Sequence, residues 1–146
     1  MRAHAVWLVG TLCLGCGGGG SSPTTPGPAP TPAPTPTPTP TASVVRSAAI
    51  GGANGHSAAG TADIVRDPGN TFTLEMRSDF RIDSGRNDVY LTRSPGGIAA
   101  DDLNLGDMKA TSGAQSYPLP NDGSAYRYVM LWCRPFQVPI GLGELR

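Results

Sequence analysis

The clearest pattern in this chain is an alternation of apolar and polar residues between Phe72 and Ile82. Every second residue of that run is apolar or small, and charged residues fill most of the positions between. Successive side chains of a β-strand point to opposite faces of the sheet. A period of two therefore predicts one long strand with a buried face and a solvated face.

Shorter apolar runs recur through the rest of residues 42–146, and sequences rich in Gly, Pro, Asn and Asp separate them. Such sequences form turns. Short strands with regular turns and no helical period predict an all-β fold, an antiparallel β-sandwich or barrel of about seven to eight short strands. The other predicted strands are Val44–Ile50, Ala59–Arg66, Asp88–Arg93, Leu103–Ala110, Tyr126–Arg134 and Phe136–Leu142.

The predicted strand Tyr126–Arg134 is largely apolar on both faces. A strand that is covered on both sides has this composition, so we predict a central place in the sheet. Pro135 cannot donate a ladder hydrogen bond and should end or bend the strand. The alternation then resumes over Phe136–Leu142, and Pro139 within that run predicts either an edge strand or a bulge.

The N-terminus has the pattern of an export signal. Ala5–Leu14 is almost wholly apolar, yet shorter than the roughly 20 residues that span a bilayer, and it has the length of a signal-peptide core. Leu14-Gly15-Cys16, followed by Gly and Ser, resembles the lipobox of bacterial lipoproteins. That resemblance implies removal of residues 1–15 and lipidation of Cys16, which would hold the protein at a membrane. An ordinary cleaved signal is the alternative.

The segment after Cys16 continues with glycines and serines and then alternates Pro and Thr up to residue 41. Proline has no backbone N–H and a fixed φ, so this tract should form neither helix nor sheet. We expect a disordered Pro/Thr-rich stalk, reaching roughly 60 Å at about 3.1 Å per residue in the polyproline II conformation. The predicted organisation is a signal peptide over residues 1–15, a lipid-anchored linker over 16–41 and one β domain over 42–146.

Charge and motifs narrow the function of this domain. Residues 42–146 contain ten basic and eleven acidic residues, a formal charge of −1, and no basic stripe, which argues against nucleic acid as a partner. No G-x-S-x-G, H-E-x-x-H or phosphate-binding glycine loop is present, so we do not predict a stand-alone enzyme. Four aspartates near turns lack a calcium-loop pattern and are predicted to be solvated, with no metal site. They are Asp83, Asp88, Asp101 and Asp102.

The run from Tyr128 to Gly141, with Trp-Cys-Arg-Pro-Phe at its centre, resembles the signature of the electron-transfer DM13 domain. Asn87–Leu91, Leu105–Lys109 and Ser112–Pro120 resemble further blocks of that family, and the likeness covers nearly all of residues 45–146. The family often occurs beside DOMON domains in extracellular proteins. The resemblance implies a β-rich extracellular module whose cysteine, here Cys133, is either a redox-active bare thiol or the residue that holds a group such as haem.

The sequence around Cys133 leaves its role open. It is the single cysteine of residues 42–146, so the domain cannot form an internal disulfide. Its same-face neighbours Val129 and Leu131 are apolar, and burial among them disfavours the thiolate. Arg134 points to the opposite face. Cys133 could be a structural core residue, a redox thiol or the partner in an intermolecular disulfide, or a ligand of haem or a soft metal.

His56 is the histidine that could join Cys133 as a second ligand, and a surface turn histidine is the competing interpretation. We predict a lipoprotein of the bacterial cell envelope, at the outer membrane or cell surface, whose β domain performs redox or electron-transfer chemistry at Cys133. Its partners would be the membrane, through Cys16, and a redox partner or another surface protein. The alternatives are a surface binding or adhesion module with a structural Cys133, and a haem or metal carrier.

Overall fold

The computed structural model describes residues 41–146, which form nine β-strands and no helix. A helix suited to crossing a membrane is therefore absent from this part of the chain. The all-β fold class predicted from the sequence is confirmed. The strands are β1 Ser43–Gly52, β2 Ala58–Arg66, β3 Phe72–Met76, β4 Arg81–Ile82, β5 Asn87–Thr92, β6 Leu103–Asp107, β7 Gln115–Leu119, β8 Tyr128–Cys133 and β9 Val138–Glu144.

All strand pairs are antiparallel, and the strands follow the order β6-β5-β8-β9-β1-β2-β3-β7, with β4 added to β2. The two ends of this path, β6 and β7, approach each other, so the sheet nearly closes into a barrel. One hydrophobic cluster fills its interior. Its most deeply buried members include Ile64, Leu74, Phe80, Val89, Leu91, Tyr117, Val129, Leu131 and Ile140.

Side chains of β7 bridge the seam where no strand ladder joins β6 to β7. The amide of Gln115 accepts a hydrogen bond from the Ala110 N–H at 3.2 Å and donates one to the Ala110 carbonyl at 2.9 Å. The Lys109 N–H donates to the Gln115 Oε1 at 3.0 Å and to the Tyr117 hydroxyl at 3.1 Å. These bonds satisfy backbone groups that would otherwise lack a partner at the seam.

The single strand predicted over Phe72–Ile82 is wrong, because the chain turns between β3 and β4. The Phe80 N–H donates to the Arg77 carbonyl at 3.0 Å, which closes the turn. The carboxylate of Asp79 takes the place of a neighbouring strand by accepting hydrogen bonds from the Thr61 N–H and hydroxyl at 3.1 and 2.9 Å. Burial still alternates across the turn, with the exception of exposed Ser78, which explains why the sequence imitates a strand.

The turn exists because the backbone of Phe80 crosses directly over Gly60. A Cβ atom at Gly60 would lie 2.5 Å from the Phe80 Cα, and Gly60 has a φ of 129°, which L side chains rarely adopt. Only glycine permits both the close approach and this conformation. The interruption of the predicted strand therefore depends on a residue that lies far from it in the sequence.

Strand β8 is central, as predicted, with β5 on one side and β9 on the other. The prediction for Pro139 is confirmed as a bulge, because the β8–β9 register shifts between Leu131 and Trp132, whereas β9 is not an edge strand. Phe136 does not begin a strand. It lies in a turn over residues 134–137 and is 76% exposed. Strand β7 was not predicted, and its Pro118 is accommodated because β7 ends the sheet path.

The predicted signal peptide, the lipidated Cys16 and nearly all of the predicted stalk lie outside the described residues. The domain boundaries at residues 15 and 41 therefore remain predictions.

Candidate redox site

Cys133 is the last residue of β8, and the structure records it as a free cysteine buried in the core, 4% exposed. Its cross-strand neighbours are Asn87 on β5 and Val138 on β9. Directly opposed side chains lie about 4.5–5.5 Å apart at Cβ, so these two residues flank the thiol. Val129 and Leu131, on the same face of β8, are fully buried, as the sequence indicated.

Asn87 is the residue of this site that the sequence analysis missed. It is 1% exposed, and its side-chain amide donates to the Ser84 carbonyl at 2.5 Å, while its backbone carbonyl accepts a hydrogen bond from the Met108 N–H at 2.8 Å. Because Asn87 alternates with Val89 and Leu91, the period of two could have placed it on the core face. Within residues 41–146, no hydrogen bond reaches the Cys133 sulfur.

Arg134 lies on the outer face of the barrel and does not activate the thiol. Its Nε lies 3.3 Å from the Asp88 Oδ1, and its Nη2 lies 2.7 Å from the Asp107 Oδ1. Burial raises the pKa of Asp88, the charge of Arg134 opposes that shift, and the hydrogen bond with Asp107 adds to it. The guanidinium is thus committed to two carboxylates, as expected for a side chain that points away from Cys133.

His56 occupies the loop between β1 and β2, where its Nδ1 lies 3.0 Å from the Asp83 Oδ1. The Ser57 N–H donates to the other carboxylate oxygen at 2.8 Å. Both hydrogen bonds lower the pKa of Asp83, and the bond from the Ser57 N–H has the larger effect. Among residues 41–146, no group of three or more His, Cys, Asp or Glu side chains could hold a metal ion. His56 is therefore a loop residue engaged with Asp83.

The surroundings of Cys133 do not fit a haem. The thiol belongs to the continuous core cluster, and its flanking side chains fill the inner face of the sheet. The surface pocket beside the start of β2 and β4 and the one beside β3 and β7 are both lined by other residues. We therefore derive no chemistry through a haem group at this position.

The turn aspartates are more constrained than predicted. Solvation is the wrong description for Asp88 and Asp102, whose side chains are 8% and 1% exposed. Asp102 accepts hydrogen bonds from the Arg93 N–H at 3.1 Å and from the Ala99 N–H at 2.8 Å. Asp101 pairs with the guanidinium of Arg93. Asp101 and Asp102 thus stabilise the loop between β5 and β6, in which both lie.

The family model described as Electron transfer DM13 matches residues 52–145. The chain belongs to the electron transfer DM13 family. The matched segment of this DM13 domain includes Cys133 and every strand from β2 to β9. It excludes nearly all of β1, although β1 lies in the middle of the sheet between β9 and β2. Comparisons with curated proteins and with solved structures found no match.

Proposed function

We propose that the DM13 domain is an extracytoplasmic redox module that acts through the thiol of Cys133. The observation that carries this proposal is the position of the cysteine in the fold. Cys133 ends β8 immediately before the turn over residues 134–137, all four of which are exposed. Cys133 is the single cysteine in the segment that matches the family model, residues 52–145.

The position at the strand end gives a buried thiol a route to solvent. The turn over residues 134–137 is tied to Cys133 by the bond from the Gln137 N–H to the Cys133 carbonyl, at 2.8 Å. Gln137 has a φ of 50°, which costs a non-glycine residue conformational energy. Exposed turns open at lower free energy than the core of a domain. Opening of this one turn would expose Cys133 while the rest of the barrel stays folded.

The chemistry available to a single thiol is thiol–disulfide exchange. The Cys133 thiolate would attack one sulfur of a disulfide in a partner protein, forming a mixed disulfide and releasing the partner's other sulfur as a thiolate. Residues 42–146 contain no second cysteine, so the domain cannot resolve the mixed disulfide itself. A further thiol, of another molecule, must attack the partner's sulfur in the mixed disulfide. This step releases Cys133 as a thiolate and joins the attacking thiol to the partner in a new disulfide, so that thiol is the one oxidised and the partner keeps one reduced sulfur.

Trapping in the producing cell tests this role. Cells that express the full chain are quenched in acid, free thiols are blocked, and disulfide-linked adducts are separated on non-reducing gels. We expect adducts with the wild type that disappear on reduction and are absent from Cys133→Ser. If the adduct pattern of Cys133→Ser equals that of the wild type, Cys133 is not the redox thiol.

We further propose that Cys16 is acylated and holds the domain at the bacterial cell envelope, on the outer-membrane or surface side. The lipobox-like sequence before Cys16 supports this, and the Pro/Thr tract provides a spacer. Labelled fatty acid should enter the wild type and Cys13→Ser but not Cys16→Ser. Equal labelling of all three chains would contradict lipidation at Cys16.

A surface binding module with a structural Cys133 is the second candidate, and one observation favours it. Phe136 is 76% exposed in the β8–β9 turn, where its ring is accessible to a binding partner. If binding to cell-wall glycan or to surface proteins is the function, Phe136→Ala should weaken it while Cys133→Ser leaves it unchanged. The reverse result would favour the redox role.

A further inference from the structure

A surface pocket of about 370 Å³ opens between the start of β2 and the short strand β4. Volumes of about 300–1,000 Å³ are usual for small-molecule sites. The space exists because β4 is only two residues long and pairs with two alanines, Ala58 opposite Ile82 and Ala59 opposite Arg81. The lining consists of Ser57, Ala58, Ala59, Arg81, Ile82 and Asp83.

The polar groups of this pocket differ in what they can still bind. Both carboxylate oxygens of Asp83 are engaged, one by His56 at 3.0 Å and the other by the Ser57 N–H at 2.8 Å. The guanidinium of Arg81, in contrast, makes no ion pair or hydrogen bond with any side chain or backbone group of residues 41–146. Arginine offers five N–H donors and no acceptor. A molecule that completes this pocket must therefore supply acceptor oxygens.

The apolar part of the pocket on the Arg81 side is Ala59, which lies directly opposite Arg81 and is half-buried, whereas Ala58 and Ile82 pack towards the core. We propose that this pocket binds a small organic carboxylate, with the carboxylate on Arg81 and a short apolar body against Ala59. A carboxylate matches the planar fork of arginine with two parallel hydrogen bonds. The Ser57 hydroxyl is a further donor at the rim, and the contacts with His56 and the Ser57 N–H occupy both carboxylate oxygens of Asp83.

The site is separate from the proposed redox function. No lining residue belongs to the immediate surroundings of Cys133, which are Asn87, Val138 and the apolar residues of β8. Binding of a carboxylate therefore does not require the thiol. Failure of the redox proposal would leave this inference standing, and Cys133→Ser should bind with unchanged affinity.

An amide NMR titration of the full chain with benzoate tests the pocket, since benzoate joins a carboxylate to a compact apolar ring. We expect saturable shifts centred on residues 57–59 and 81–83. Benzyl alcohol, which has the ring without the charge, and inorganic phosphate, which has charge without the ring, should each bind at least about tenfold more weakly, a difference of about 1.4 kcal/mol.

Arg81→Gln should weaken benzoate binding by about tenfold or more, because the bidentate pair is lost. Arg86→Gln is the matched control, since Arg86 is also exposed and also lacks a side-chain partner in the described domain. Unchanged shifts elsewhere in the Arg81→Gln spectrum will show that the variant is folded. Equal affinity of Arg81→Gln and wild type, equal binding of benzyl alcohol, or the absence of saturable shifts at millimolar benzoate would overturn the proposal.

Discussion

Cys133 and Asn87 lie directly opposite each other across the β5–β8 ladder, and both are almost completely buried. A thiol at this position is therefore flanked by a buried amide whose donor is already committed to the Ser84 carbonyl. The burial of this pair should therefore affect both the reactivity of the thiol and the stability of the barrel. The first two predictions concern its two members.

The Cys133 thiol should react with a thiol reagent far more slowly in the native domain than in the unfolded chain, because it is 4% exposed. Its native rate should nevertheless exceed the rate that global unfolding allows, since opening of the adjacent turn is sufficient to expose it. Cys133→Ser should lower the free energy of unfolding by about 1–3 kcal/mol, because a hydroxyl is buried without a good partner. Labelling kinetics and urea denaturation measure both effects.

Rapid native labelling at neutral pH, together with little loss of stability in Cys133→Ser, would instead mean that the thiol is exposed in solution. Labelling that occurs only at the global unfolding rate would remove the proposed route through the turn.

Asn87→Ala should destabilise the domain by about 1–3 kcal/mol, because it leaves the Ser84 carbonyl without its buried donor. Asn104→Ala is the matched control. Its amide donates to the Tyr90 hydroxyl at 2.7 Å, but it is exposed, so water replaces the lost partner and the cost should stay within about 0.5 kcal/mol. Equal effects of the two substitutions, measured by urea denaturation, would contradict the role of Asn87.

The pH dependence of stability should carry a signature of Asp88. Burial raises its pKa, so the folded state holds the proton more tightly than the unfolded state does. Its contribution to stability is then complete below the ordinary aspartate value of 3.8 and is lost as the pH rises through the raised value. The free energy of unfolding of the wild type, minus that of Asp88→Asn, should fall as the pH rises above 3.8.

Asp83 provides a control of opposite sign. The hydrogen bonds from Ser57 and His56 lower its pKa, so its contribution is present above 3.8 and is lost as the pH falls through the lowered value. The difference between wild type and Asp83→Asn should therefore grow with rising pH. Urea denaturation over a series of pH values measures both differences, and parallel curves for the two variants would refute the assignment.

Gly60→Ala should severely destabilise the domain, because its Cβ would lie 2.5 Å from the Phe80 Cα and the backbone has a φ of 129°. Gly55→Ala is the control that separates backbone strain from a steric clash of the added Cβ. Gly55 also has a positive φ, of 81°, but no atom lies within 4 Å of the added Cβ. Strain alone costs about 1–3 kcal/mol, so thermal denaturation should show a folded Gly55→Ala and a largely unfolded Gly60→Ala. Similar melting temperatures of Gly55→Ala and Gly60→Ala would argue against a steric clash between residue 60 and the backbone of Phe80.

The DM13 domain should require β1, although the family match begins at residue 52. A fragment of residues 42–146 should give the far-UV circular dichroism of a folded β protein. A fragment of residues 53–146 lacks the strand between β9 and β2, exposes both of their edges and loses Ala48 and Ile50 from the core, so it should not fold. A strongly helical spectrum of the longer fragment, or equal folding of the two, would count against this organisation.

Much of the fold was readable from the sequence because side-chain alternation is a local property. The period of two placed Leu74, Met76 and Ile82 on the buried face and predicted strands close to most of those observed. The two apolar faces of β8 predicted its central position, and Pro139 predicted the bulge in β9. The sequence alone also showed that Cys133 has no cysteine partner within residues 42–146.

The tertiary structure decided everything that depends on which distant residues meet. The turn between β3 and β4 arises because Phe80 crosses Gly60, which lies twenty residues earlier in the chain. Strand register alone brings Asn87 opposite Cys133 and directs Arg134 to carboxylates on β5 and β6. Alternation states which face a side chain occupies, but the partner it meets there is set by the pairing of strands far apart in the chain, and no local pattern encodes that pairing.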